Sequence, residues 1–400
     1  MKVLRRFLDT QERHFRKGGR LEQLHPLFEA ADTFLFTTGK VTRNSPLIRD
    51  AINLKRVMIT VVVALLPCVF MALYNTGLQA NIALANLGAS AAAGWRGAVL
   101  QAVGVGIDAH SVFECMAHGT LYFLPVYIVT LAVGGAWEGL FAIIRKSMIS
   151  EGFLVTSLLF PLTLPPGIPL WQAALGISFG IVVGKEIFGG TGRNIFNPAL
   201  TGRVFLFFAY PAQITGDAVW VAVDGVTKAT PLAEAADPNM VLTASWMDAF
   251  LGTIPGSMGE TSVLACLFGA VILIVTGIAS WRIMVSVVAG MFCVASLLNI
   301  IGSAANSMLQ LPPVWHFVLG GFAFGTVFMT TDPVTGAMTQ YGMYVYGILI
   351  GALTVMIRAV NPAFPEGIML AILFCNMFAP IIDRVFLNAN IRRRMARSGG

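Results

Sequence analysis

Charge is scarce in this sequence. Only 12% of its 400 residues are Asp, Glu, Lys or Arg, against roughly 25% in an ordinary soluble domain, while 56% are hydrophobic. A water-soluble globule is therefore excluded. Cysteine is thin as well: Cys68, Cys115, Cys266, Cys293 and Cys375 are scattered singly, mostly within apolar runs. No pair has the close spacing of a zinc or iron–sulfur site, so no metal cluster bound by this chain alone is expected. The five histidines, His14, His25, His110, His118 and His316, lack the facing pairs of a membrane haem and read as surface or interfacial. A cleaved leader is not expected, because Met1 to Arg56 is polar and Arg-rich and the first apolar run begins near Val57.

What is present is a series of apolar runs of about 18 to 25 residues, the length that crosses a ~30 Å hydrocarbon core as helix. Hydropathy predicts ten spans, near 57–76, 119–144, 153–164, 170–187, 197–210, 260–279, 283–301, 314–330, 342–358 and 366–386. The fold class is thus an all-α polytopic membrane protein. The net charge of +6 gathers at the two ends, from Lys2 to Arg20 and from Arg384 to Arg397, which suits a cytoplasmic membrane face rather than nucleic acid, for which no motif appears. With the basic N-terminus inside, inner loops carry Arg145, Lys146, Lys185, Arg193 and Arg282, and outer segments carry only Arg96, Lys228 and Arg358. Both termini then lie inside, and the polar stretches 77–118 and 211–258 lie outside. The chain divides into an N-terminal segment 1–56, a first helical repeat 57–210, an outer loop 211–258, a second helical repeat 259–386 and a basic tail 387–400.

The two repeats resemble each other. Glu151-Gly152-Phe153 and Asn197-Pro198-Ala199 in the first have counterparts in Gly320-Gly321-Phe322 and Asn361-Pro362-Ala363 in the second. On this topology the copies face opposite ways, giving a five-plus-five inverted repeat with broken spans. Broken spans at matching positions line a central site, because freed backbone groups need protein or water partners at membrane depth. A transporter or channel would show the same duplication.

Several residues stand out against bland alternatives. Glu138 lies in an apolar helix, where a carboxylate is costly and is either functional or paired with Arg145 or Lys146. Gly134 and Gly135, just before it, read as tight packing or as space for a ligand. Glu151 and Phe153 share the same inner level, and Phe153 could flank a flat ring. Asn194 and Asn197 offer paired donors and acceptors, although Asn197 before Pro198 is also a standard helix start. Asp332, before Pro333, is a cap or an ion ligand; Asp383 is a partner for Arg384 or an ion-entry acid. Glu138, Asp332 and Asp383 all fall on the inner half, as an uptake vestibule for a cation requires. Gly189-Gly190-Thr191-Gly192 lacks the strand, helix and distal acid of a dinucleotide fold, so NADH is not expected to bind here. Leu21, Leu24 and Leu27 alternate with polar residues, as in a segment lying along the inner surface.

Asp224-Gly225-Val226-Thr227-Lys228-Ala229-Thr230-Pro231-Leu232 reads physically as a turn followed by a threonine held extended before proline. It also resembles a flavinylation motif, Asp-Gly-x-Ser/Thr-x-Ala-Thr, in which a flavin transferase joins FMN through its phosphate to the last threonine. Asp224, Thr227, Ala229 and Thr230 are in register, and Lys228 replaces a frequent glycine. With this motif, the ten spans, Gly134-Gly135-Ala136-Trp137-Glu138, Ser150-Glu151-Gly152-Phe153, Gly192 to Ala199 and Thr330-Thr331-Asp332-Pro333 in order, the chain resembles the membrane flavoproteins of the NqrB/RnfD family. These are the NqrB subunits of Na+-translocating NADH:quinone oxidoreductases (NQR) and, more distantly, the RnfD subunits of Rnf complexes. The resemblance implies a bacterial inner-membrane protein with covalent FMN on Thr230 at the periplasmic side. It implies riboflavin at Asn194 and Asn197, and ubiquinone at Gly134, Gly135, Glu138, Glu151 and Phe153. It further implies Na+ or H+ translocation, and partners comprising an NADH-oxidising flavin and iron–sulfur subunit, a second covalent-FMN subunit and small membrane subunits. The long N-terminal extension argues against the Rnf branch.

Overall fold

The computed structural model describes residues 54–89, 91–146, 152–215, 219–223, 229–237, 242–302, 306–361 and 366–398, with Thr10, Gln11, His14, Phe15 and Phe28 of the N-terminal segment. Among these the regular structure is entirely helical. Five helices are long and apolar enough to cross a membrane: Arg56–Asn86, Val112–Arg145, Trp281–Ile301, Gln340–Val360 and Gly367–Arg397. Outward faces are apolar, with Phe70, Ile128, Val275, Ile300 and Phe374 more than half exposed, as lipid contact requires.

The remaining five predicted spans are cut short. Besides one four-residue turn, Pro211–Ile214, the α-helices from residue 54 on are, in order, α1 (Leu54–Asn86), α2 (Gly94–Val103), α3 (Val112–Arg145), α4 (Gly152–Leu162), α5 (Leu170–Ile181), α6 (Pro198–Ala209), α7 (Pro231–Ala236), α8 (Trp246–Leu251), α9 (Val263–Val275), α10 (Trp281–Ile301), α11 (Pro313–Val318), α12 (Phe322–Phe324), α13 (Gln340–Val360) and α14 (Gly367–Ser398). At about 1.5 Å per residue, α4 reaches only about 16 Å, half the core. Pro165 and Pro166 forbid its continuation. Its freed carbonyls are met by a loop: Gly259 N–H donates to Leu162 O at 2.7 Å and Met258 N–H to Leu164 O at 3.0 Å.

Two expected boundaries move. The stretch 77–118 is not an open polar loop, since α1 runs on to Asn86 and α2 and the start of α3 fill the rest. Polar residues here are buried instead: Gln79 Nε2 donates to Thr253 O at 3.0 Å, and Asn75 Nδ2, one turn earlier in α1, to Ile254 O at 2.8 Å. His118 and His316 are also fully buried rather than interfacial. His118 Nδ1 bonds Asn81 Oδ1 at 2.7 Å. His316 gives its carbonyl to Arg358, which is fully buried and bonded to His316 O and Leu319 O at 2.9 and 2.8 Å. Arg358 is therefore not a surface loop charge.

Helix α1 packs along α3, α3 against α5 and α5 against α6, while α10 packs along α13 and α13 along α14. Helix α9 lies against α1 and joins the two sets. Close approach sets the α1–α3 contact: a Cβ on Gly77 would fall 1.8 Å from Cys115 O, and one on Gly119 would fall 1.8 Å from Leu73 O. Across the α1–α9 contact, Cys68 and Cys266 approach to 3.9 Å between sulfurs.

A charged cluster ties α6 to the segments that lead into α9 and α14. Arg203 on α6 reaches both oxygens of Glu260, ahead of α9, at 2.8 and 2.9 Å, the hydroxyl of Ser257 at 3.2 Å, and the carboxylate of Glu366, ahead of α14. Arg203 and Glu260 are both buried. Removing one partner strands the others' charge, which costs about 3–5 kcal/mol. Arg203→Met should therefore lower the unfolding temperature of the purified protein sharply, and Arg203→Lys less so. An unchanged transition in Arg203→Met would show that the cluster does not hold the helix ends.

Candidate functional site

Helix α5 does not stop at Ile181 but widens into a π-helical turn, Val182–Glu186, closed by the Ile187 N–H to Val182 O bond at 2.9 Å. Such turns insert one residue into the helix and occur often at functional sites. Here the turn lets two adjacent residues face α3. Lys185 forms an ion pair with Glu138, and Glu186 forms one with Arg145, two turns further along α3. The buried Glu138 thus has a partner, but it is Lys185 rather than the sequence neighbours Arg145 or Lys146. A second π turn, Gly325–Met329, follows α12 in the other half and is closed by Thr330 N–H to Gly325 O at 2.9 Å.

The two π turns converge on one narrow cleft of about 70 Å³, which a molecule of cofactor size must widen to enter. Lys185 comes from the first turn and Phe328 from the second. After the first turn, Gly189, Gly190 and Gly192, all with φ between 87° and 115°, reverse the chain and present Thr191, Asn194 and Asn197 to the cleft. After the second, Thr331 and Asp332 face them. Apolar walls come from Met58 and Val61 on α1, Val155 and Leu159 on α4, and Leu273 on α9.

Asn197 is the cap that the sequence allowed. Its Oδ1 accepts from Ala199 N–H at 3.0 Å and Leu200 N–H at 3.3 Å, while its Nδ2 donates to Asp332 Oδ2 at 3.5 Å, a long bond. Asn194 stitches its own turn, accepting from Gly192 N–H at 3.3 Å and donating to Phe196 O at 2.9 Å. Thr191 Oγ1 is buried with no hydrogen-bond partner among the described residues. Asp332 accepts from Val334 N–H at 3.0 Å and from the Thr335 hydroxyl at 3.1 Å. Its burial pushes the carboxyl pKa up, against the pull of those two bonds.

The other predicted residues fall beside the cleft or away from it. Gly134 is buried under Phe153: a Cβ there would lie 2.6 Å from the Phe153 ring and 2.8 Å from Ile181 Cδ1. Gly135 faces more open space, its nearest neighbour being the same ring at 3.6 Å. Glu138 follows one turn on, and Glu151 lies outside the described residues. Asp383 does not line the cleft and has no ion pair with Arg384 among the described residues. It accepts from Met338 N–H and Thr339 N–H at 2.8 and 2.9 Å and from the Thr339 hydroxyl, fixing the entry to α13.

Asp224 and Thr227 lie outside the described residues, whereas Ala229 and Thr230 are half-buried. Thr230 caps α7, its Oγ1 accepting from Ala233 N–H at 3.2 Å. The segment is pinned to the body through Ser307 Oγ to Ala235 O at 2.7 Å, just past the end of α10. Ala279, which lines the cleft, lies just before the start of α10. Thr230 and the cleft are therefore at opposite ends of this 21-residue helix, about 31 Å long by its rise per residue.

Sequence reasoning missed Lys185, Thr191 and Thr331. Lys185 had a readable signal, a cation at the end of an apolar run with a carboxylate at matching depth on another span.

Residues 41–392 match the model of the NQR2, RnfD, RnfE family, and the chain belongs to that family. It is 56% identical over 402 aligned residues to the NqrB subunit of the Na(+)-translocating NADH-quinone reductase of Pseudomonas aeruginosa strain LESB58, covering 99% of this chain and 100% of that one. The proteins of the same name from Chromohalobacter salexigens and Azotobacter vinelandii are each 56% identical, over 98% and 99% of this chain and 96% and 100% of their own.

The two glycines separate by experiment. Gly134→Ala forces a ring or a helix to move, and such overpacking costs about 1–3 kcal/mol, so it should lower the unfolding temperature. Gly135→Ala should leave it nearly unchanged. Equal melting curves for the two variants would mean that Phe153 yields without strain.

Proposed function

We propose that this chain is the flavin-bearing membrane subunit of a Na+-translocating NADH:quinone reductase, taking electrons from FMN esterified to Thr230 and passing them through riboflavin in the cleft to ubiquinone beside Gly135 and Glu138. The observation that carries this reading is the cleft itself, where the two π turns bring Thr191, Asn194, Asn197, Lys185 and Asp332 to one apolar-walled space. Its chemistry fits an isoalloxazine. A flat ring system finds apolar walls, and its heteroatom edge finds donors and acceptors, among them the otherwise unpartnered Thr191 hydroxyl. A bound flavin supplies one- and two-electron transfer. The chain's residues orient that edge and exclude water from it.

Thr230 suits esterification for a simple reason. As a cap it uses an oxygen lone pair to accept from Ala233, and its hydroxyl proton has no part in that bond. Replacing the proton by phosphorus leaves an acceptor oxygen in place. The separation of Thr230 from the cleft along α10 supports electron movement across the membrane, with Thr230 periplasmic and both termini cytoplasmic. The shortened helices and the paired π turns support the five-plus-five inverted repeat. NADH oxidation belongs to a partner subunit, and a flavin transferase modifies Thr230.

For the cation, Asp332 is the favoured ligand and Glu138 the favoured inner acid; the three bonds to Asp383 are explained by capping. Asp332 must lose its proton to hold a cation, and burial raises its pKa. The Na+ concentration for half-maximal quinone reduction should therefore rise as pH falls through that raised value. Asp332→Asn should weaken Na+ dependence and flatten this pH effect while NADH oxidation by an artificial acceptor stays intact. An unaltered Na+ and pH dependence would exclude Asp332 from the path.

The flavin assignments are tested apart from turnover. Thr230→Val should abolish the flavin fluorescence that survives denaturation, and Thr191→Val should reduce only the flavin released by acid extraction. Covalent flavin in the first variant, or full extractable flavin in the second, would overturn the corresponding assignment.

A further inference from the structure

Lys185 belongs to two places at once. Its side chain is 4% exposed, it pairs with Glu138 on α3, and it lines the cleft with Asn194, Asn197 and Asp332. An ammonium has three N–H donors. Among the described residues Lys185 uses one of them, to Glu138 Oε1. A desolvated cation with donors to spare is costly unless something else meets it.

The surrounding charges narrow what that something is. Glu186, the adjacent residue, is engaged by Arg145 through both its carboxylate and its carbonyl. Asp332, on the facing wall, is held by Val334, Thr335 and Asn197. Of Glu138, Glu186, Asp332 and Arg145, only Glu138 bonds Lys185. The remaining donors are available to a ligand of the cleft. A ligand with an electron-rich heteroatom edge, and more so one whose reduced form gathers negative charge there, answers both the empty donors and the positive potential.

We propose that Lys185 is a positioning residue that couples the cleft to Glu138: one ammonium is shared between the carboxylate on α3 and the heterocyclic edge of the ligand, so a gain of negative charge in the cleft loosens its hold on Glu138. This rests on the reading of the cleft as a flavin site. It adds a single-residue link between that site and the acid beside the quinone-side glycines. The π turn is what makes the link possible, because it aims Lys185 and Glu186 at the same neighbouring helix and leaves Glu186, not Lys185, to hold Arg145.

The consequence is a pair of opposite effects on the equilibrium between oxidised and reduced ligand. Removing the cation disfavours the reduced form. Removing its competitor Glu138 frees the cation and favours it. The test uses the whole purified complex, with spectroelectrochemical titration of the non-covalent flavin and its quantitation after acid extraction. Lys185→Met should weaken the preference for the reduced form about tenfold, ~30 mV downward for a two-electron couple. Lys185→Arg should restore the original value, and Glu138→Gln should shift it upward. A merely structural salt bridge predicts two independent Coulomb shifts that add in the double variant, whereas sharing through Lys185 predicts that Glu138→Gln shifts nothing further in the Lys185→Met background.

Unchanged potentials in Lys185→Met and Glu138→Gln with flavin retained overturn the proposal, as do shifts of the same sign. If Lys185→Met fails to assemble or loses its flavin, the comparison of Lys185→Arg with Glu138→Gln decides: an upward shift in Glu138→Gln alone supports the coupling, and no shift refutes it. Failure of the underlying reading is seen separately in Thr191→Val. Full retention of extractable flavin there means that the cleft is not the flavin site, whatever Lys185 does.

Discussion

No water is available at membrane depth to satisfy a broken backbone or a bare charge, and most of this structure answers that constraint. Five of the expected spans are cut short by proline, glycine or a π turn, and each cut releases polar groups that another segment must meet. The loop ahead of α9 meets the end of α4. Arg203 gathers Glu260 and Ser257 from one interhelical segment and Glu366 from another. The cleft keeps two groups that other described residues do not fully match, a threonine hydroxyl without a partner and a lysine using one donor. A binding site and a satisfied interior are thus built from the same material.

Helices α10 and α13 form a long, small-residue contact, with Gly290, Gly347 and Gly351 set against the backbone or side chains of the partner helix. Such contact resists sliding better than a seam of large flexible side chains. The broken elements of the second half are thereby held against a stiff frame, and those of the first half against α1 and α3. Rigidity around an adaptable centre is the arrangement that a site sensitive to ångström displacements needs.

Apolar length is the clearest signal in the sequence, and it locates the all-helical membrane class and most segment boundaries within a few residues. It fails where polar residues are buried by bonds to distant parts of the chain. Gln79 resembles a loop residue and is helical, because a loop far along the chain supplies its acceptor. His118, His316 and Arg358 resemble interface residues for the same reason. Asn194, Asn197 and Asp332 are legible as candidates, since a polar residue beside a proline in an apolar stretch invites explanation, but their meeting in one cleft is a product of the fold. The partner of Glu138 is hidden because nearness in sequence is a poor guide to nearness across helices. Asp383 shows the converse, a carboxylate whose suspicious position is accounted for by three local donors.

Helix α14 has 32 residues and measures about 48 Å by its rise per residue, well beyond a ~30 Å core. Roughly its last three turns must stand in water, and Arg392, Arg393, Arg394 and Arg397 there are all exposed. Drawing that end inward by a few turns would carry guanidinium groups toward the bilayer centre, where each costs about 2.5–3.5 kcal/mol on insertion scales. The arginines act as a depth stop. Because α13 packs along α14, the stop also sets the height of the frame, and so fixes how far below the headgroups the cleft is held.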